Sequence, residues 1–283
     1  MVLEQLLKER WVEKRPLFAL IVGFVYTFVG AGTAFIFFGR NISVAMLFLA
    51  SLLIVPNLNM LFDVEEKRER KEGLKHFFRN HRDVFEACLF LFLGIFIGYL
   101  ALGIGANASG MDFSEIFSYQ LNFLENQQGL SGEVIGDFLE SPFRADAGQF
   151  LAISTKNLET ALIFFMLSFF YGAGAIFLII LNASIFSTFL IYIVDTLAKS
   201  MSQVPSLLGI FSIHLVPEVS GFLLAAIAGA MVSKALIKEK LGCNCFRNVF
   251  KDATVLLAVS FLVIMVAAFL EVYVSASLFH SFL

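Results

Sequence analysis

The sequence predicts an all-α fold, a polytopic transmembrane helical bundle of about seven membrane segments. Composition predicts the class. The 283 residues are 59% hydrophobic and only 15% charged, with 35 phenylalanines, and the mean hydropathy is +0.84. A soluble domain of this size cannot bury that much apolar surface. Segmentation and charge give the second and third observations: long apolar runs recur along the chain, and the basic residues gather between alternate runs. The net charge of −3 gives no footprint for nucleic acid. Three cysteines, Cys88, Cys243 and Cys245, cannot build a disulfide framework.

The apolar runs are 17–38, 42–61, 85–103, 160–181, 184–198, 207–235 and 253–276. About 20 helical residues cross the hydrocarbon. The run 184–198 reads as a short span, about 22 Å at 1.5 Å per residue. The run 207–235 reads as broken by Pro217. Lys8, Arg10, Lys14 and Arg15 precede the first span. Lys67, Arg68, Arg70, Lys71, Lys75, Arg79 and Arg82 lie between the second and third. Lys234, Lys238, Lys240, Arg247 and Lys251 lie between the last two. Only Arg40, Arg144, Lys156 and Lys199 fall elsewhere. Seven crossings with a cytoplasmic N-terminus put the three basic groups inside and the C-terminus outside, in a cell membrane.

Three regions follow. Residues 1–103 form an N-terminal membrane region of three spans. Leu3, Leu6, Leu7 and Trp11 repeat at helical spacing before it, which suits a helix lying on the inner surface, and Pro16 suits a first helical turn. Residues 104–158 form an acidic extracytoplasmic loop. There Phe113, Ile116, Phe117, Leu121 and Leu124 mark an amphipathic helix over the outer face. Residues 159–283 form the C-terminal membrane region. The charged connector 63–83 reads as a solvated helical hairpin. Cys243 and Cys245 read as reduced, idle thiols, since a metal site needs about four ligands.

Small residues mark helix contacts. Gly94 and Gly98 make a G-x-x-x-G pair; Gly221, Ala225 and Gly229 recur every four residues. Packing within one chain and packing between copies both use such strips.

Ionisable residues inside the spans mark the candidate site. His214 and Glu218 are four apart and would share a face of an unbroken helix. Pro217 predicts instead a new helix from 217, with Glu218 in its first turn and His214 at the break. In the predicted topology Glu271, Asp195 and Asn157 lie at a similar depth near the outer boundary. These five residues define a polar pocket. Their separate explanations are a helix cap, an interfacial histidine and boundary acids.

The segments KNLETALIFF, GAGAIFLIILNASIFS, IHLVPEVSGFLLAAIAG and AAFLEVYV carry a resemblance. Together, over about 150–276, they resemble the stage II sporulation protein M family of integral membrane proteins. Asn157, Gly172, Gly174, Asn182, His214, Glu218, Gly229 and Glu271 are the positions that carry it. The resemblance implies a membrane component acting with protein partners, a scaffold rather than a reaction, as in relatives that take part in envelope remodelling; no cofactor and no metal are expected from the sequence. The expected partners are the lipid bilayer and a membrane or envelope protein, with self-association left open. A transporter or channel using the polar pocket is the alternative. A metal-dependent hydrolase built on His214, Glu218 and Glu271 is a third class, without an H-E-x-x-H or a second intramembrane histidine to support it.

Overall fold

A computed structural model describes residues 16–39, 42–72, 77–128, 146–172, 175–197, 203–239 and 243–282. The inner-surface helix expected before Pro16, and Gly174, lie outside these residues. Among the described residues the chain is helical, with no strand. In order the helices are α1 (Pro16–Phe37), α2 (Ile42–Glu72), α3 (Phe77–Ala108), α4 (Phe113–Ile116), α5 (Ser118–Gln128) and α6 (Ala147–Tyr171). Then come α7 (Ala175–Leu197), α8 (Val204–Lys238), α9 (Asn244–Leu270), a π-helical turn (Glu271–Ser275) and α10 (Ala276–Phe282). Six of these segments are long and apolar enough to cross a membrane; the apolar stretch Ile42–Pro56 of α2 is shorter. The protein is a multi-pass membrane protein.

Helices dominate because hydrocarbon offers no partner to a backbone amide. Several hydroxyls inside the spans follow the same rule and donate to carbonyls one turn back. Examples are Thr27 to Gly23 at 2.8 Å, Ser51 to Leu47 at 2.7 Å and Thr188 to Ser184 at 2.9 Å.

Two boundaries differ from expectation. The fourth and fifth spans were predicted to meet near 182–183, leaving a short 184–198 segment. The turn instead falls at Gly172, whose φ of +59° suits glycine. The polar Asn182 and Ser184 do not break the helix, because Asn182 Nδ2 donates to the Leu178 carbonyl at 3.0 Å and Ser184 to Leu181 at 2.8 Å. Helix α7 therefore has 23 residues and is long enough to span.

The second difference is Pro217. It was predicted to start a helix, but α8 runs unbroken for 35 residues, with Pro205 in its first turn. Proline withholds one donor, from the Ile213 carbonyl, yet surrounding helices hold the segment in place. His214 and Glu218 therefore share one helical face.

Helix α3 continues to Ala108 and α6 begins at Ala147, so the connector between them is shorter than 104–158. Within it, Ile116, Phe117 and Leu124 are buried. Gln120 is also fully buried: its Oε1 accepts from Ser43 at 2.6 Å and its Nε2 donates to Ser184 at 3.3 Å. Helix α5 is thereby tied to α2 and α7 rather than only lying over them.

Close backbone approach sets the packing. Gly94 of α3 lies against the Leu20 carbonyl of α1, and Gly98 against Thr27. Gly221 of α8 meets Ile264 and the Ser260 carbonyl of α9, while Gly229 meets the Phe165 carbonyl of α6. Ala225 between them is fully buried. Adding one methyl at Gly94 should lower the stability of detergent-solubilised protein by about 1–3 kcal/mol. Gly32 has open space around its Cα, so Gly32→Ala should leave the melting temperature unchanged or slightly raised. Equal effects of Gly94→Ala and Gly32→Ala would contradict this packing.

One end of the bundle is closed by charge. Asp63 Oδ1, in the second half of α2, accepts from Lys234 at 2.9 Å and Lys238 at 2.7 Å on α8. Lys234 also donates to the Asn59 carbonyl at 3.0 Å. Burial by itself would raise the Asp63 carboxyl, but the two ammonium groups outweigh it and hold it below its ordinary value. The folded value thus lies below the unfolded one, near 3.9. The stability Asp63 contributes is present above that pH and is lost as pH falls through the folded value. Melting curves should show Asp63→Asn less stable than wild type at pH 7, with the gap closing as the pH drops below about 4.

Candidate functional site

The site is built from α8 and the end of α9. His214 and Glu218 lie one turn apart on α8, and Glu271 opens the π-helical turn that follows α9. One ligand atom from each of the three lies within 4.8 Å of the others, and all three side chains are half-buried. The π turn matters here. The Ala276 N–H reaches back five residues to the Glu271 carbonyl, and this insertion changes the register of everything after it. Glu271 and Ser275 thereby both face α8: His214 Nδ1 and Ser275 Oγ are 2.9 Å apart.

Aromatic rings wall one side. Phe211 packs edge-on to His214 with centroids 6.0 Å apart, and also against Phe189 and Phe279 at 5.2 and 5.7 Å. With Ile193 and Leu207 they form a small apolar cluster separate from the main core. The histidine ring is therefore fixed by a hydrogen bond on one edge and by phenylalanine beside it.

The electrostatics are unusual. Neither Glu218 nor Glu271 has a hydrogen-bond or ion-pair partner among the described residues. Two carboxylates so close within a membrane span need protons or a cation. A tautomer that donates from Nδ1 to Ser275 leaves the Nε2 lone pair free to bind a metal, the usual arrangement for a ligating histidine. One imidazole and two carboxylates suit a divalent ion such as Zn2+ or Mn2+, and an ion of charge +2 would bring the group to neutrality.

Asp195 and Asn157 do not join this group. Asp195 is exposed at the end of α7, where Asn107 Nδ2 of α3 donates to it at 3.5 Å. Asn157 is half-buried on α6 and makes no hydrogen bond to the three.

Three buried polar residues escaped the sequence reading. Asp252 is completely buried near the start of α9, and neither carboxylate oxygen has a hydrogen-bond partner among the described residues. His81, at the start of α3, is also buried. Both adjoin runs of charge (Arg79 and Arg82, Lys251) and so read as connector. Gln120 sat in a segment read as a surface helix. In each case the signal is a polar residue in phase with buried apolar neighbours, such as Val84 and Ala87 after His81.

A family model described as stage II sporulation protein M matches residues 87–276, which extends the similarity to most of α3 and to the connector before α6. No curated protein and no solved structure matches the chain. The match covers more than half of the sequence and contains His214, Glu218 and Glu271 together with the glycines that seat α8, and on it the chain belongs to the stage II sporulation protein M family.

Proposed function

We propose that this protein is a non-enzymatic subunit of a membrane complex, a scaffold whose last spans meet at His214, Glu218 and Glu271 and are joined there by the His214–Ser275 contact, the clamp of the bundle. The observation that carries the reading is the packing of α8 beyond the clamp. Over 219–235 nearly every residue is buried, Phe222, Leu223, Ala228, Met231 and Val232 among them. The Gly221 carbonyl accepts from Ser260 Oγ at 2.8 Å, and Gly229 lies on the α6 backbone. Backbones in contact leave no room along this helix for a hydrated path. A polar group above such an interface ties helices together, and a divalent cation held there would strengthen the tie.

Helix α6 supplies the partner surface. It is the least enclosed of the six long spans. It exposes Thr155, Lys156 and Glu159 alongside Leu151, Leu162 and Ile163. Ionisable groups on a lipid-facing helix are costly, and a second membrane protein would cover them. The distribution of basic residues supports a cytoplasmic N-terminus and an extracytoplasmic C-terminus, with the clamp toward the outer side of a cell membrane. A photo-crosslinking residue at Glu159 should form a discrete protein adduct in native membranes, whereas one at Ile21 on the exposed face of α1 should not. Lipid adducts alone from Glu159 would end the scaffold reading.

Transport of an ion or small solute is the second reading. It is favoured by Asp252 and Glu271, buried or half-buried acids near opposite ends of α9. Reconstituted vesicles separate the two. The scaffold reading expects proton and cation fluxes equal to those of empty vesicles. A flux abolished by Asp252→Asn would establish transport instead.

A further inference from the structure

Where α8 turns into α9, a second set of metal-binding side chains meets. Glu239, Cys243 and Cys245 each place one ligand atom within 4.8 Å of the other two, and all three are half-buried. Two thiols alone fell short of a metal site in the sequence; Glu239 supplies a third donor. The helix ends fix two of the three. Glu239 caps the C-terminus of α8, its N–H bonded to the Ala235 carbonyl. Cys243 caps the N-terminus of α9: the Phe246 N–H donates to its Sγ at 3.2 Å. The Cys243 thiol in turn lies 3.8 Å from Glu239 Oε2.

We propose that Glu239, Cys243 and Cys245 bind a thiophilic divalent cation of the Zn2+ class. The donor set decides the class. Thiolate sulfur selects Zn2+ over Mg2+ and Ca2+, which prefer oxygen. Three protein ligands leave the fourth tetrahedral position for water or for a donor from a partner protein. Binding exchanges two S–H bonds for two Zn–S bonds; both protons pass to solvent and no electrons move. The site is distinct from the His214 group, which contains no sulfur. Glu239 also lies about 30 Å beyond Glu218 along α8, at 1.5 Å per residue.

The experiment uses detergent-solubilised full-length protein carrying Cys88→Ala, so that maleimide labelling reports only the two site thiols. Reduced protein is labelled alone, with stoichiometric Zn2+, with Zn2+ plus chelator, and with Mg2+. Zn2+ should slow labelling of both thiols by at least about tenfold. Chelator should restore the rate and Mg2+ should have no effect. Glu239→Gln should weaken the protection at limiting Zn2+, while His214→Ala should leave it intact. Cys243→Ser keeps a capping oxygen, so α9 keeps its N-cap, and it should remove the protection of Cys245. Labelling rates that ignore Zn2+ would overturn the site. So would protection of Cys245 that survives in Cys243→Ser, or a Cys243–Cys245 disulfide that persists under reductant.

Discussion

Backbone contact along α8 is the constraint from which the architecture follows. Apolar side chains have little reason to leave lipid for one another, so helices in a bilayer associate through close packing and hydrogen bonds. Helix α8 meets this demand with Gly221, Ala225 and Gly229. The first seats α9 and the last seats α6. Ser260 adds a hydrogen bond to the Gly221 carbonyl across the same seam. A side chain at either glycine would push two backbones apart, and the polar groups on those helices would lose their common level.

That level determines what the polar residues become. Glu218 and Glu271 belong to different helices and approach each other only because α8 and α9 are held close. The π-helical turn completes the arrangement by bringing Ser275 to His214. Such a turn costs hydrogen-bond geometry and is retained mostly where it serves a site. At the opposite end Asp63 bridges Lys234 and Lys238. The long central helix is thus tied to neighbours by a charged contact at one end and by the His214–Ser275 contact toward the other.

The connector between α3 and α6 modifies the picture of a simple row of spans. Gln120 is fully enclosed and joins Ser43 of α2 to Ser184 of α7. A buried amide that bonds on both sides fixes register, since a shift of α5 would strand polar atoms in an apolar setting. The same reasoning makes Asp252 notable as a buried acid whose oxygens lack hydrogen-bond partners among the described residues.

Much was legible in the sequence. The apolar runs required helices that span a membrane, because hydrocarbon forces backbone amides to pair within their own segment. The four-residue spacing of small residues marked the helix seams. His214, Glu218 and Glu271 stood out because ionisable groups inside a span are expensive and rare. What sequence could not decide were matters of competing local signals. Pro217 and Asn182 both resemble helix ends, yet packing against neighbouring helices carried α8 through one, and a bond to the preceding turn absorbed the other. Gly172 carried the true break, and its left-handed φ exists only in three dimensions. Which acids meet was likewise a tertiary outcome. The expected depth put Asp195 and Asn157 beside the others, but sequence carries no information on which sides of two helices face each other, and in the folded bundle Asp195 meets Asn107 while only His214, Glu218 and Glu271 come together.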